Sequence, residues 1–174
     1  MANTFDLITT QTLNTSASAI NITMPSGYTD VQIDFSIRSD RSSQTADGIN
    51  IFFNGDTTGS NYRRATIYDE NGTIGGETNF NGPQIGVAPA ANANANVFNG
   101  GTIYIPSYSV SGSRKIHRTF NSWINGGGTA PRYMWQSYMN WSGTDPITTV
   151  RLTSANGANY VQYSSVTIYG IKKA

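Results

Sequence analysis

Asn159-Tyr160-Val161-Gln162-Tyr163-Ser164-Ser165-Val166-Thr167-Ile168-Tyr169-Gly170-Ile171 alternates two side-chain sets along an extended chain. Tyr160, Gln162, Ser164, Val166 and Ile168 fall on one face; Val161, Tyr163, Ser165, Thr167 and Tyr169 fall on the other. The stretch reads as a strand, with Lys172 and Lys173 beyond it as a solvated or docking end. The same period of two recurs upstream. Val31, Ile33, Phe35 and Ile37 alternate with Asp30, Gln32, Asp34 and Ser36, and Ile49, Ile51 and Phe53 form the next apolar face.

Turn signals separate these runs. Asn-Gly pairs begin at Asn54, Asn71, Asn81, Asn99, Asn125 and Asn156, and this dipeptide tolerates the positive φ of tight hairpins. Further strands are predicted at Phe5–Thr9, Ala19–Met24, Tyr62–Tyr68, Thr102–Ser107, Lys115–Ile124, Arg132–Trp141 and Thr148–Thr153. Gly75-Gly76 and Gly126-Gly127-Gly128 read as turns. Ala90 to Asn96, which alternates Ala and Asn, reads as an exposed loop. No stretch keeps a helical apolar period over three turns. The pattern predicts an all-β chain: one antiparallel β-sandwich domain over residues 1–174, jelly-roll-like, with about 8–10 strands.

Composition narrows the chemistry. The 174 residues carry a formal net charge of +1, with the cations scattered, so no basic footprint for nucleic acid is expected. With no cysteine, disulfides, thiol catalysis and Cys-ligated zinc are excluded. Met1 to Asp6 has no signal-peptide pattern, and no window reaches the length of a membrane span, so no membrane partner is expected. Asn, Ser and Thr make up about a third of the residues and Glu is confined to Glu70 and Glu77. Such a weakly charged polar surface suits a protein that touches other protein over much of its area.

No catalytic constellation stands out. Asp30 and Asp34 share a strand face at a spacing a glycosidase pair can use; the favoured reading places them outward from the Val31/Ile33/Phe35/Ile37 core. His117 is the single histidine, flanked by Arg114, Lys115 and Arg118, and reads as solvated or interfacial. No metal-ligand spacing or phosphate-binding glycine loop occurs, and neither catalytic residues, metal nor cofactor is expected. The aromatic stripe Tyr133, Trp135, Met139 and Trp141 is read as core in preference to a sugar platform. Trp123 stands out of phase with Phe120, Ser122 and Ile124 and reads as exposed or interfacial. Trp123, Tyr138, Tyr108, Arg114 and Lys115 are the interface candidates.

Five stretches carry a family likeness: Phe5-Asp6-Leu7-Ile8-Thr9-Thr10-Gln11-Thr12-Leu13 followed by Ser16-Ala17-Ser18; Met24-Pro25-Ser26-Gly27-Tyr28-Thr29-Asp30; Phe53-Asn54-Gly55-Asp56 with Gly59-Ser60-Asn61-Tyr62; Tyr104-Ile105-Pro106-Ser107-Tyr108; and Tyr163 to Lys173. With them the chain resembles small virion proteins of tailed bacteriophages, a group of jelly-roll-like capsid decoration (cement) proteins and tail or fibre domains. The resemblance implies a β-sandwich without enzyme activity, assembled on a particle. The leading expectation is a capsid decoration protein, oligomeric and trimeric, bound to the major capsid protein or other virion proteins and located in the virion. The alternative is a tail-fibre or head-fibre module that binds a receptor or carbohydrate through Trp123, Tyr138 or Tyr108.

Overall fold

A computed structural model describes residues 4–125 and 132–172. Twelve strands run through them: β1 (Thr4–Thr12), β2 (Ala19–Thr23), β3 (Asp30–Ser36), β4 (Ala46–Phe53), β5 (Tyr62–Glu70), β6 (Thr73–Asn81), β7 (Gln84–Pro89), β8 (Gly100–Ile105), β9 (Lys115–Ile124), β10 (Arg132–Trp141), β11 (Thr149–Ser154) and β12 (Ser165–Lys172). They form two antiparallel sheets, one in the order β1-β12-β3-β8-β9-β10-β5-β6 and one in the order β2-β11-β4-β7. The all-β sandwich expected from the period of two is present.

The sandwich divides into a frame and an extension. Without β5–β6 and β9–β10, the frame is two four-stranded sheets, β1-β12-β3-β8 and β2-β11-β4-β7. Both remaining hairpins join the first sheet beyond β8. The extension therefore doubles that sheet, and of the facing sheet β7, with Phe53 at the end of β4, packs over it.

The frame follows simple alternation. Val31, Ile33 and Phe35 face inward from β3, Val166 and Ile168 from β12, Ile49, Ile51 and Phe53 from β4, and Val150 and Leu152 from β11; all are buried in one cluster. The closing strand begins only at Ser165, because Tyr163 takes a φ of 72° and turns the chain. Tyr160 is nonetheless buried and bridges Ala17 and Ser39.

Glycine explains most of the differences from the sequence reading. Asn71-Gly72 is a hairpin turn with φ of 56° and 87°, as expected. Gly75-Gly76 is not a turn but part of β6, and the Tyr68 ring lies where a Cβ on Gly75 would sit. Strands β6 and β7 were hidden in the sequence by Gly75, Gly76, Gly82, Pro83 and Gly86, which are poor strand formers. Asn99-Gly100 is likewise no hairpin: Asn99 is buried, accepting from Ile37 N–H at 2.7 Å and donating to the Val87 carbonyl at 3.1 Å. Ala90 to Asn96 is a loop, pinned by Arg38, which donates to the carbonyls of Ala93 and Asn94 at 3.0 and 2.8 Å. The turns read at Gly126-Gly127-Gly128 and the end at Lys173 lie outside the described residues.

Candidate functional site

The inner face of the extension is a ladder of paired side chains. Register sets Trp123 opposite Tyr133, Asn121 opposite Trp135, Thr119 opposite Ser137, His117 opposite Met139 and Lys115 opposite Trp141. On the other side of β10, Tyr68 pairs with Trp135 and Tyr62 with Trp141. Tyr133 stacks on Trp123 at 4.9 Å and Tyr68 on Trp135 at 5.3 Å between ring centroids.

Some polar groups on this face are held by partners and others are not. Asn121 accepts from Val87 N–H at 3.2 Å and donates to the Val87 carbonyl at 2.7 Å, which ties β9 to the overlying β7. That approach requires Gly86, since a Cβ there would stand 2.3 Å from Asn121 Oδ1. Lys115 Nζ donates to the carbonyls of Val110, Ser113 and Thr144, and burial lowers its pKa. His117 lies edge-on to Phe53 and has no hydrogen-bond partner on either ring nitrogen. Burial pushes its pKa down to about 3, so it is neutral at physiological pH. Asp56, in the β4–β5 connection, accepts from Trp141 Nε1 at 2.8 Å, Asn61 at 2.9 Å and Thr58 N–H at 3.0 Å. Burial alone would raise its carboxyl, but these hydrogen bonds outweigh it and hold the pKa below the usual carboxylate range.

Several sequence candidates are therefore corrected. Trp123 is 6% exposed, in a second apolar cluster with Trp135, Val87 and Ala93. Tyr108 is buried and its hydroxyl donates to the Pro25 carbonyl. Lys115 is 1% exposed and its ammonium is engaged by carbonyls. His117 is a core residue, neither solvated nor interfacial. Asp30 does not face water; it is buried and accepts from the Tyr104 hydroxyl and, at 3.0 Å, from Ser107 N–H. Asp34 remains half-buried on the outer face, bonded to Gln32 and Thr102 at 2.9 Å each. Of the stripe on β10, Trp135, Met139 and Trp141 are core, as read. Among the described residues no three His, Cys, Asp or Glu side chains group together.

The outer face of the extension is the unusual surface. Ile116, Phe120 and Ile124 of β9, Met134 and Tyr138 of β10 and Ile67 of β5 point outward, each between 44% and 61% exposed. Pairing makes them contiguous: Gln136 lies between Phe120 and Ile67, and Met134 between Ser122 and Asp69, so the apolar groups are diagonal neighbours. A half-exposed set of six, at roughly 200 Å² for each fully exposed side chain, offers on the order of 600 Å², the scale at which an apolar patch marks an interaction site. A smaller apolar strip, Phe5 and Leu7, stands at the β1 edge of the same sheet.

Cations rim the patch. Arg118 lies over the Tyr104 ring at 4.8 Å. Arg63 and Arg114, both exposed, border a hollow of about 450 Å³ with Ile116, Tyr138 and Asn140. Tyr138 and Arg114 are thus the two interface candidates that reach this surface. Ile67, Ile116, Phe120, Ile124 and Met134 were missed. Their signal was present: β10 carries large apolar groups on both faces, and a two-layer sandwich buries only one.

No protein-family model, no curated protein and no solved structure matches this chain.

Proposed function

We propose that this chain is a non-enzymatic structural protein of a bacteriophage virion, a decoration protein that docks on the capsid shell through the outer face of its extension. The observation that carries this reading is the contiguous apolar patch of Ile67, Ile116, Phe120, Ile124, Met134 and Tyr138 on one face of the extension. Covering it removes apolar surface from water, at about 25 cal/mol per Å², and a standard interface of about 800 Å² per partner needs little beyond the patch and its rim.

Two further features support it. The frame strand order, β1-β12-β3-β8 over β2-β11-β4-β7, is read as a jelly roll, an architecture used by viral capsid proteins and lectins. The stretches from Phe5 to Lys173 that resemble phage virion proteins run the length of this frame. Under this reading the protein assembles as a homotrimer, its partner is the major capsid protein, and many weak contacts add up to shell stability through multivalency.

Copy number tests the reading. Quantitative mass spectrometry of purified virions should find many tens to hundreds of copies, as shell symmetry demands. A few copies per particle, or copies at the tail alone, would contradict it in favour of a fibre component. Sedimentation of the free protein should give three chains per particle; a monomer at micromolar concentration would remove the trimer.

A further inference from the structure

Where the extension runs beyond the facing sheet, the two layers part. A cleft of about 360 Å³ opens there, between the inner face of β5 and β10 and the edge formed by β4, β7 and the turn after β11. One wall is aromatic: Tyr68, Tyr133 and Trp135 line it. Both tyrosines are half-buried, and each is fixed by parallel stacking on a tryptophan. They neither complete the core nor stand free in solvent. The opposite wall is polar, with Arg41, Gln84 and Asn156 contributed by the frame over a buried Asp47, which accepts from Ser154 and Asn156 at 2.7 Å each. Glu70 closes the aromatic side, and burial together with its nearby carboxylate raises the Tyr133 pKa.

An aromatic wall facing amide and carboxylate groups matches one ligand chemistry. The C–H face of a pyranose ring packs on aromatic surface, and its hydroxyls bond to the facing polar groups. The stacked pairs lose little freedom on binding, because their rings are already held. Charge selects among sugars. Asp47, Asp69 and Glu70 line the cleft against Arg41 alone. Arg41 is already drawn to Asp47 at 3.8 Å, and Asp69 to Arg132 at 3.7 Å. The carboxylate of an acidic sugar would meet net negative charge there with no uncommitted guanidinium lining the cleft.

The geometry points to this cleft as a binding site for an uncharged hexose unit of a glycan, and against sialic and uronic acids. The site faces away from the outer surface of the extension and stands independently of the docking reading. Trp123, Tyr138 and Tyr108 do not line it, so it differs from the glycan surface expected from sequence.

The test is a titration of the full chain, followed by backbone amide NMR, with the methyl glycosides of glucose, galactose and mannose, and with N-acetylglucosamine. Glucuronic acid and N-acetylneuraminic acid serve as contrasts. At least one uncharged sugar should saturate with a millimolar-range affinity, the strength of about 4 kcal/mol, with shifts centred on Tyr68, Gln84, Tyr133 and Asn156. Gln84→Ala should weaken that binding about tenfold, the loss of one well-placed hydrogen bond, without moving the thermal midpoint by more than a few degrees. Glu70→Gln should keep the fold and reduce discrimination against glucuronic acid. The proposal is overturned if none of the uncharged sugars produces saturable shifts at the cleft, if Gln84→Ala binds as the parent does, or if the acidic sugars bind as tightly as the uncharged ones. Loss of particle attachment bears only on the docking reading and leaves this one standing.

Discussion

In β3, the apolar side chains Val31, Ile33 and Phe35 point into the sandwich, while Gln32 and Asp34 point out. In β9, two strands further along the same sheet, Lys115, His117 and Asn121 point in, and Ile116, Phe120 and Ile124 point out. A sheet with one face on a core and one in water normally sorts side chains as β3 does. The frame obeys that rule because burial of its apolar face drives folding. The extension reverses it on β9 and carries large apolar groups on both faces of β10. Two of its inner polar groups are received by specific partners, Val87 for Asn121 and three carbonyls for Lys115, while His117 stays buried as a neutral ring with none. An outward apolar face that contributes nothing to the core has a reason to exist if another molecule covers it. On the proposed reading the frame is organised for stability and the extension for contact.

The largest effect should come from the seam where the two regions meet. Phe53 packs against Tyr62, His117 and Trp141, so Phe53→Ala should lower unfolding free energy by about 3–5 kcal/mol in urea titration, the range for a large aromatic deleted from a core. A loss under about 1 kcal/mol would show that frame and extension are not packed as described. Asn121→Ala comes next. It leaves the buried Val87 N–H without an acceptor, while the Val87 carbonyl keeps Asn99. The expected loss is about 1–3 kcal/mol, with amide exchange faster in β7 than in β3.

His117 gives the comparison a pH axis. Its folded pKa is about 3 against an ordinary 6.5, so the unfolded chain binds the proton first. The stability it contributes is full above pH 6.5 and is lost as pH falls toward 3, at roughly 1 kcal/mol per pH unit. Because His117 is the single histidine, urea midpoints measured between pH 7 and 5.5 isolate it from the carboxylates. His117→Phe should flatten that slope; an unchanged slope would place the titration elsewhere. The smallest stability effect belongs to the outer face. Phe120→Ser should shift unfolding by no more than about 0.5 kcal/mol, as surface substitutions do, yet weaken attachment to the particle by more than tenfold, about 1.4 kcal/mol. A destabilisation comparable to Phe53→Ala would mean that this face is core after all.

The same contrast decides what the sequence made legible. Frame strands such as β3, β4 and β12 announce themselves, because alternation in them reports burial directly. In β9 alternation is present but its sense is inverted. Trp123 is out of phase with Phe120, Ser122 and Ile124 and so reads as exposed or interfacial; the pairing with β10 that places Trp123 on Tyr133 is a non-local fact. Lys115 and His117 were misplaced for the same reason, since the carbonyls and the Phe53 ring that receive them come from distant segments. Strands β6 and β7 were invisible because close approach demands glycine there: Gly75 beneath Tyr68, and Gly86 beneath Asn121. Of the docking surface, Tyr138 and Arg114 were legible singly, and the patch they belong to was not. Which face of a strand is apolar is local information; which face is covered is not.

Coverage of the outer face in the assembled particle is the central claim. The chain has no cysteine, so Ser122→Cys, on the exposed face between Phe120 and Ile124, gives one near-isosteric thiol for maleimide labelling. Arg151→Cys, exposed on β11 in the other sheet, is the control. Both thiols should label rapidly in the free protein. On the particle, Cys at 122 should become at least tenfold slower, as burial in an interface requires, while Cys at 151 keeps its rate. Labelling at 122 that is equally fast on and off the particle would contradict the account.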